Sequence, residues 1–404
     1  MKVLQLAPRI PYPLTEGGNI GIFYITRELS RHGAEIHFAG ISGSKVADTP
    51  PELSNLCEDL LIIPSPHRYG ISSAFRNFFS DVPINIEKYH SRDVLKKIIK
   101  FVEGKKIDLI HVDHLHMAYY GLALRYILKV PVVLREHNLE LKIMDRFSQS
   151  SSNPLYRGYA AIQLRKFLKY EPGVCAEVDK CIMITDQDRE RLLSLRRDTD
   201  STVIPAGVDV DYFKPNGSDG EEDTIAYIGS LDWLPNIDGL KWFVKEILPT
   251  ILRSRPTVKF FIYGKNPSRD VGKLHDGTHV IVKGFVEDVR EVFRRARVVV
   301  VPLLAGSGMR IKILEAMAAG KAIVTTSIGK EGIHCGDGGQ IMVGDTPDKL
   351  AEKVLMLLEN KELCLKLGVA AARLVQKEYS WTSVGERFWD TYSEIIEKSK
   401  MKGK

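Results

Sequence analysis

The residues whose types and spacing best fit a chemical role lie in one short segment, residues 305–320. Very apolar runs precede and follow it, so the pattern predicts a strand, a glycine-rich turn, a short helix and a second strand. A glycine-rich turn that opens a helix behind a buried strand is an anion site, because backbone N–H groups and the helix dipole favour negative charge there. The candidate residues of this segment are Gly306, Ser307, Gly308, Met309, Arg310, Lys312 and Glu315.

Charged side chains in the segment refine this prediction. Arg310 and Lys312 add two cations to the anion site, and Glu315 lies about one turn into the helix, where a carboxylate can accept hydrogen bonds from a diol. Phosphate donors, cations and a diol acceptor together indicate a nucleotide-sugar site. The alternative for Arg310 and Lys312 is a solvated helix face, the usual environment of Lys and Arg.

This segment resembles the donor site of the retaining glycosyltransferases of family 4, which have the GT-B fold. Residues 227–236 resemble the first strand and turn of that family's donor domain, residues 283–289 its base-binding strand end, and residues 379–381 the start of its terminal helix. The amino-acid sequences of residues 233–236 and 310–317 resemble those of a bacterial subgroup of the family that builds surface polysaccharides. These motifs occur in the family's order and span nearly the whole chain.

The resemblance implies a role for each matching residue. Glu315 would hold the ribose, the glycine loop would cradle the phosphates and sugar, and Arg310 and Lys312 would neutralise the leaving diphosphate. A cation beside a departing phosphate should affect turnover more than binding. The expected donor-binding residues of this domain are Gly229, Gly284, Val286, Gly306, Ser307, Gly308, Met309 and Glu315.

Three positions depart from the family pattern. Ser307 stands where relatives carry the first glutamate of a pair, whose role is to hold the sugar hydroxyls. The turn after the first donor strand has residues 232–236 where many relatives carry an Arg and a Lys, and Ala206 replaces a usual Asn. We therefore expect the contacts to the nucleotide to be those of the family and the contacts to the donor sugar to differ from them.

The first half of the chain has candidate residues of its own. Gly17 and Gly18 lie between the first strand and a helix, where paired glycines allow close backbone approach to a ligand and the helix N-terminus favours an anion. A plain loop is the alternative. His137 follows the strand 132–134, where side chains reach a ligand cleft, although structural histidines are also common there. In the family, a histidine at this strand end contacts the donor sugar and leaving phosphate.

A histidine-rich stretch, residues 111–116, looks like a metal cluster. Strand alternation, however, puts His111 and Asp113 on one face and His114 and His116 on the other, which splits any ligand set. The resemblance likewise implies no catalytic metal, and one of these histidines can instead face the acceptor. We expect no metal and no cofactor, with the nucleoside diphosphate sugar as co-substrate.

Strand and helix patterns alternate along the whole chain in two series, which indicates two doubly wound parallel sheets. A polar, turn-rich stretch, residues 211–223, separates the series. The patterns predict an α/β protein with two Rossmann-like domains, over residues 1–206 and 207–380. The family resemblance implies the GT-B arrangement: the first domain binds the acceptor, the second binds the donor and faces it across a cleft, and a helix over 381–404 returns to the first domain. Periodicity alone allows that helix to pack on its own domain instead.

The amino-acid composition restricts where the protein is expected in the cell and what it is expected to bind. The chain has 404 residues and no apolar run long enough to cross a membrane, begins without a signal-peptide pattern, and has five scattered cysteines, so we expect a cytoplasmic protein.

The small excess of positive charge, 57 Lys and Arg against 51 Asp and Glu, is consistent with contact with phosphates or lipid head groups. Phe75, Phe78 and Phe79 lie near Arg68 and Arg76 in the sequence, and residues 92–106 are rich in lysine. This pattern suggests peripheral contact with the inner face of the membrane, with a solvated helix face as the alternative. Basic residues are spread out, so nucleic acid is not an expected partner.

The sequence therefore predicts a retaining glycosyltransferase that moves a hexose from a nucleoside diphosphate sugar to a glycan or lipid-linked acceptor. Two alternatives remain at this point. One is a nucleotide-sugar 2-epimerase of the same fold, and the other is a non-catalytic nucleotide-sugar-binding subunit, which the missing first glutamate motivates.

Overall fold

A computed structural model describes residues 1–14, 17–43, 50–65, 75–150, 154–215, 217–218, 220–306 and 308–402, with only the backbone of residues 146–150, 154–156 and 402. The described chain divides into two compact units. Unit 1 comprises Met1–Pro205 and Val384–Lys404, and unit 2 comprises Ala206–Ser383. The polar stretch 211–223 therefore lies inside unit 2, where Glu221 and Asp223 pair with Arg295 and Arg255.

Unit 1 is built on a seven-stranded, wholly parallel sheet in the order β3-β2-β1-β4-β5-β6-β7. Apolar side chains on both faces of these strands are buried, as expected for parallel strands covered by helices on each side. The strands β1 to β7 are Lys2–Ala7, Glu35–Ser42, Asp59–Pro64, Leu109–Asp113, Val132–Glu136, Lys180–Met183 and Ser201–Val203. The helices α1 to α8 are Gly17–Arg31, Pro51–Ser54, Ile84–Glu87, Arg92–Val102, Ala118–Leu128, Glu140–Ser150, Pro154–Glu177 and Asp186–Leu195, with a 3₁₀ turn at Leu115–Met117.

Unit 2 has a six-stranded parallel sheet in the order β10-β9-β8-β11-β12-β13. The strands β8 to β13 are Thr224–Ile228, Lys259–Tyr263, Val280–Gly284, Val298–Val301, Ala322–Thr325 and Met342–Val343. The helices α9 to α16 are Leu234–Trp242, Leu248–Ser254, Arg269–Gly272, Val289–Arg295, Ile311–Ala318, Pro347–Glu359, Lys361–Glu378 and Trp381–Lys402, with a π-turn at Phe243–Ile247. The prediction of two doubly wound parallel-sheet domains is confirmed.

Both sheets reverse their strand order beside their first strand, between β1 and β4 in unit 1 and between β8 and β11 in unit 2. Ligands of such sheets bind at the carboxyl ends of the strands next to this reversal. Ligand-binding residues are therefore expected in the segments that follow β1, β4 and β5 in unit 1 and β8 and β11 in unit 2.

The last helix, α16, begins within unit 2, and its residues from Val384 onward belong to unit 1. Phe388 and Tyr392 of this helix are fully buried, and Gly385 lies so close to α1 that an added Cβ would be 2.4 Å from the Cβ of Glu28. The apolar periodicity of the segment is therefore explained by packing against unit 1.

No helix among the described residues is long and apolar enough to cross a membrane.

Candidate active site

The candidate donor residues of unit 2 lie on segments that follow β8 and β11. Gly229 comes directly after β8, and the glycine loop follows β11 and leads into helix α13. Helix α13 buries Ile313, Leu314 and Met317 completely, because apolar positions recur on its inner face. Lys312 and Glu315, three residues apart, share the half-buried opposite side of the same helix.

Lys312 is held among neutral oxygen atoms. Its Nζ donates to the Tyr227 hydroxyl at 2.9 Å and to Asn236 Oδ1 at 3.2 Å, and it lies 4.5 Å from the centre of the Tyr227 ring. Burial, followed by the nearby Arg310 guanidinium, lowers the pKa of Lys312 to about 7. Among the described residues, no carboxylate lies within ion-pair distance of this ammonium group, so the site can accommodate an anion.

Gly229 provides the space for this lysine. A Cβ built at Gly229 would lie 2.4 Å from Lys312 Nζ and 2.7 Å from the Tyr227 hydroxyl. These separations are much shorter than van der Waals contact, so any other residue at this position would displace the ammonium group. Gly229 thus determines where the Lys312 ammonium group can lie.

Glu315 is an acid without a hydrogen-bonding partner among the residues that the structure describes. Burial raises the pKa of its carboxyl group to about 7, and the positive charge of Lys312 opposes that rise. A half-buried carboxylate in this state gains from hydroxyl donors. The arrangement is suited to a diol, which offers two O–H groups to one carboxylate.

The glycine loop is shaped by its own backbone and by Arg310. Gly306 has φ 146° and Gly308 has φ 75°, conformations that side-chain-bearing residues rarely adopt. Arg310 Nη1 donates to the carbonyl oxygen of Gly308, and Nη2 lies 4.0 Å from Glu331. Met309 packs against the core, and Ser307 lies outside the described residues. The Arg310 guanidinium therefore stabilises the loop through its hydrogen bond to the Gly308 carbonyl oxygen. The sequence spacing does not reveal this contact.

The predicted base-binding residues lie at the end of a neighbouring strand. Gly284 ends β10 with φ 73°, and its carbonyl oxygen accepts from the Gly264 N–H at 2.8 Å. Val286 is partly buried against the core, whereas the Phe285 side chain between them is 59% exposed. The Lys265 ammonium lies 5.0 Å from the centre of the Phe285 ring.

In unit 1, Gly17 and Gly18 form the first turn of α1 rather than a preceding loop. A Cβ at Gly18 would lie 3.8 Å from His114 Nε2 and 3.9 Å from Arg9 Cζ. The start of this helix therefore lies beside residues that follow β1 and β4, next to the reversal of strand order.

His137 belongs to a buried polar cluster at the ends of β4 and β5. Arg135 Nη1 donates to His137 Nε2 at 2.6 Å, and Asp113 Oδ1 lies 3.3 Å from the same nitrogen. The His114 ring stacks on His137 with centroids 3.6 Å apart. Because a guanidinium can only donate, Nε2 accepts, and the proton of neutral His137 is assigned to Nδ1.

The protonation of this cluster follows from its surroundings. Burial, and then the Arg135 charge, lowers the pKa of His137 to about 4, with Asp113 acting in the opposite direction. Burial alone would raise the pKa of Asp113, but His111, His137 and Arg135 hold it well below its usual value. His137 is therefore neutral at physiological pH, and no described residue accepts from its Nδ1–H, which can donate to a ligand.

The structure corrects one expectation about this strand end. Strand β5 does not stop at Leu134 but continues through Glu136, and Arg135 and Glu136 are 1% and 2% exposed. Arg135 can be buried because Asp113, on the neighbouring strand, lies 3.2 Å from its Nη1. Arg135 is therefore internal, and His137 is the first residue beyond the strand.

Several residues that build these clusters were not singled out from the sequence. Tyr227 and Asn236 hold Lys312, and Gly21 in α1 leaves room for Arg135, since a Cβ there would lie 2.9 Å from its Nη2. Each is an ordinary residue of a strand or helix, so only the folded contacts reveal it. Across the described ranges, no three His, Cys, Asp or Glu side chains are arranged to hold a metal ion.

Comparison with known families identifies the chain. Residues 15–212 match the family model described as Glycosyltransferase Family 4, and residues 222–360 match that described as Glycosyl transferases group 1. This protein belongs to the glycosyltransferases. The two matches together span most of the chain, confirm the family inferred from residues 305–320, and favour glycosyl transfer over epimerisation or a purely binding role.

Individual relatives are distant. An uncharacterised 44.6 kDa protein in the cps region of Klebsiella pneumoniae is 22% identical over 390 residues, which are 94% of this chain and 96% of that protein. Phosphatidyl-myo-inositol mannosyltransferase of Mycobacterium tuberculosis is 27% identical over 213 residues, 49% of this chain and 55% of that enzyme. This glycosyltransferase thus matches only about half the length of that mannosyltransferase.

A solved structure shows the same fold. The crystal structure of Anabaena HepE in complex with UDP matches with a TM-score of 0.70 at 13% identity, covering 98% of this chain and 100% of that one. The glycosyltransferase therefore has the GT-B fold, as the sequence predicted.

Proposed function

We propose that this glycosyltransferase moves a hexose from a nucleoside diphosphate sugar to a glycan or lipid-linked acceptor, with retention at the anomeric carbon. The observation that carries the proposal is the Lys312 ammonium group, which has neutral oxygen partners and lies one helical turn from the Glu315 carboxyl group. Among the residues that the structure describes, no carboxylate lies within ion-pair distance of Lys312 and no group donates to Glu315, so a diphosphate and a ribose would supply what each side chain lacks.

The donor residues of unit 2 then have distinct roles. The backbone from Gly306 to Met309, including Ser307, holds the phosphates and sugar, and Arg310 adds positive charge while bracing the loop. Lys312 stabilises the negative charge that develops on the leaving diphosphate. Glu315 accepts from the ribose hydroxyls. The base is flanked by backbone atoms of Gly284 and Val286.

In unit 1, we propose that His137 donates its Nδ1–H to the donor sugar or its departing phosphate. Its neutral state at physiological pH supports this role, because a neutral imidazole with Nε2 already accepting has one N–H left to give. Gly17 and Gly18 contribute the N-terminal N–H groups of α1 to the same ligand. Unit 1 also binds the acceptor.

No side chain is proposed as a nucleophile. The incoming hydroxyl attacks on the face from which the diphosphate leaves, and the diphosphate takes the hydroxyl proton, so the anomeric configuration is retained. We propose that the reaction is independent of a metal ion, because Lys312 and Arg310 supply positive charge at the leaving group.

The relatives support the donor and acceptor classes. HepE was solved with UDP, and the mycobacterial relative is a mannosyltransferase of phosphatidyl-myo-inositol. A relative from a cps region is consistent with polysaccharide or glycoconjugate biosynthesis. These associations motivate a nucleoside diphosphate sugar as donor and a glycan or lipid-linked acceptor here.

We further propose a cytoplasmic location with peripheral contact to the inner face of the membrane. Phe75, Phe78 and Phe79 are 69%, 59% and 79% exposed and form edge-to-face ring pairs with centroids 5.8 Å apart. Lys166 donates to the backbone and side chain of Asn77 between them. An exposed aromatic cluster with a lysine ammonium group beside it suits an anionic lipid surface.

The donor site is tested first by thermal melting with UDP, GDP, ADP, CMP and dTDP, with and without sugars. A ligand that binds only the folded state raises the melting temperature, so one nucleoside diphosphate should give a clear shift. That nucleotide's sugar is then used to measure kinetics. No shift with any of the nucleotides would contradict the donor site.

Two variants test the assigned roles. Glu315→Gln should weaken donor binding by about tenfold or more, because it removes a charged acceptor of hydrogen bonds. Lys312→Met should lower kcat by roughly a hundredfold with a smaller effect on KM. The exposed residues of α14 provide matched controls, Glu352→Gln and Lys349→Met. Wild-type kinetics in both site variants would refute the assignment.

A further inference from the structure

A fully buried tyrosine of the last helix contacts the polar cluster around His137 through two intermediate side chains. Tyr392 of α16 is 0% exposed, and its hydroxyl lies 2.5 Å from His111 Nδ1. His111 is also 0% exposed and lies in the middle of β4, directly across the sheet from Gln5 of β1. The two residues are 281 positions apart in the chain.

The contacts continue from His111 to the end of the sheet. His111 Nε2 lies 3.2 Å from Asp113 Oδ2. The other carboxylate oxygen, Oδ1, lies 3.2 Å from Arg135 Nη1 and 3.3 Å from His137 Nε2. Asp113 is therefore the link, with one oxygen facing the terminal helix side and the other facing His137.

The remaining contacts of Asp113 and Arg135 hold this link in place. Gln5 Nε2 donates to Asp113 Oδ2 at 2.9 Å, and the hydroxyl of Thr26 in α1 donates to Gln5 Oε1 at 2.8 Å. Phe388, one turn before Tyr392, has its ring 5.9 Å from the Arg135 guanidinium. Residues of β1, β4, β5, α1 and α16 thus contribute to one buried arrangement.

The choice of tyrosine at position 392 has a chemical reason. The same ring without the hydroxyl would fill the space, but it would leave His111 Nδ1 buried without a partner. Burial also raises the pKa of Tyr392 well above its usual value, so the hydroxyl keeps its proton and can donate it. A hydroxyl donor at Nδ1 places the proton of a neutral His111 on Nε2, which lies 3.2 Å from Asp113 Oδ2 without forming a hydrogen bond to it.

We propose that Tyr392 is a positioning residue for glycosyl transfer, acting through His111, Asp113 and Arg135 to hold His137 in the tautomer with its proton on Nδ1. The inference rests on the proposed role of His137, and it assigns the terminal helix a part in the reaction beyond stability. Without the Tyr392 hydroxyl, His111 can turn its ring away from Asp113 Oδ2. The carboxylate is then held by Gln5 and Arg135 alone, and the Arg135 guanidinium that donates to His137 Nε2 is positioned less firmly.

The first test is kinetic and uses the full-length protein. Tyr392→Phe should lower kcat on the order of tenfold, as expected for a small misplacement of a catalytic group, while the melting shift given by the nucleoside diphosphate stays unchanged. Tyr120→Phe is the matched control, since the Tyr120 hydroxyl is likewise buried and hydrogen-bonded, with the Tyr89 carbonyl and the Ser91 N–H as its partners. Tyr120→Phe should lose stability and keep its kcat.

A double-mutant cycle shows whether the effect passes through His137. Tyr392→Phe should have little further effect in a His137→Ala background. An equal loss of kcat with and without His137, or a wild-type kcat in Tyr392→Phe, would overturn the proposal.

The second test does not depend on activity. Nuclear magnetic resonance of the ¹⁵N-histidine-labelled protein reports the tautomer of His137, assigned by its disappearance in His137→Ala. We expect the Nδ1–H form in the wild type and in Tyr120→Phe, and a shift towards Nε2–H in Tyr392→Phe. An unchanged tautomer in Tyr392→Phe would overturn the inference. Absence of transfer in the wild type would count against the proposed function alone.

Discussion

At the scale of single residues, the site of unit 2 depends on the positive charge of Lys312, which its neutral neighbours stabilise only in part. The oxygens around Lys312 are a phenol hydroxyl and an amide carbonyl, both neutral. Such partners solvate an ammonium group only in part, and burial therefore lowers its pKa. An incoming diphosphate would supply the missing negative charge, which makes the protonation of Lys312 and ligand binding depend on one another.

This dependence predicts how donor binding changes with pH. Lys312 has a pKa of about 7, so it is charged below pH 7 and increasingly neutral above it. A bound diphosphate favours the charged form, and binding above pH 7 must therefore take up a proton. The dissociation constant of a nucleotide sugar such as UDP-glucose, whose diphosphate charge is constant over this range, should rise above pH 7 by at most about tenfold per pH unit.

Titration calorimetry between about pH 6 and pH 9 measures this dependence, and buffers of different ionisation enthalpy report the proton uptake directly. Lys312→Met should bind more weakly at low pH and should lose the weakening above pH 7, so that only the opposite trend from Glu315 remains, because the Glu315 carboxyl group ionises and accepts better above its pKa of about 7. A wild-type profile that coincides with that of Lys312→Met would show that Lys312 is not the titrating group.

At the scale of secondary-structure elements, helix α13 and the end of β8 meet through the Lys312 side chain, whose ammonium group fills the space beside Gly229. A Cβ at Gly229 would meet the end of the flexible Lys312 side chain, which can move aside at low cost to folding. A substitution at the end of strand β8 should therefore move the Lys312 side chain of helix α13 and so change the rate of glycosyl transfer.

Gly229→Ala should consequently reduce transfer more than stability. The added methyl group displaces the ammonium from its place beside Tyr227 and Asn236, so kcat should fall about tenfold or more, as when a catalytic group is misplaced. The free energy of unfolding should fall by only about 1–3 kcal/mol, the usual cost of overpacking. Kinetics and urea unfolding of the same preparation compare the two effects.

Gly272→Ala provides the control, because a Cβ there meets no atom within 4 Å. That variant should keep both its kcat and its stability. A Gly229→Ala enzyme with normal kcat would mean that the position of Lys312 does not matter for transfer.

The sequence predicted these elements well where the pattern was local. A glycine turn between two apolar runs was sufficient to place Lys312 and Glu315 on one helix, since their spacing of three is a property of the helix itself. The end of β5 could not be predicted in this way. Whether a strand can continue through Arg135 depends on Asp113, which is distant in sequence and adjacent only in the folded sheet.

The same reason limits prediction of the polar cluster. The histidine-rich stretch drew attention to His111 as a metal-ligand candidate, whereas its folded partner is the Tyr392 hydroxyl at the other end of the chain. Arg310 was expected at the leaving group, and its contact with the Gly308 carbonyl became visible only in the folded loop. Contacts between distant segments carry no periodic signal, so only the structure reveals them.

At the scale of the whole molecule, the chain carries a formal net charge of +6, and the exposed phenylalanine cluster lies on unit 1. A positively charged protein with an exposed aromatic cluster should bind anionic bilayers, because apolar contact and attraction to head groups add. We expect binding to vesicles that contain phosphatidylglycerol, weaker binding to pure phosphatidylcholine, and weakening by salt, which screens surface charge.

The aromatic cluster should account for much of this binding. Replacing Phe75, Phe78 and Phe79 together by serine should weaken vesicle binding at least tenfold in a sedimentation assay, since even partial burial of each ring contributes on the order of 1 kcal/mol. The double change Tyr126→Ser and Ile127→Ser removes other apolar groups of unit 1, 79% and 52% exposed, and should have little effect. Equal binding by the triple variant and the wild type would show that any membrane contact is made elsewhere, through charge alone.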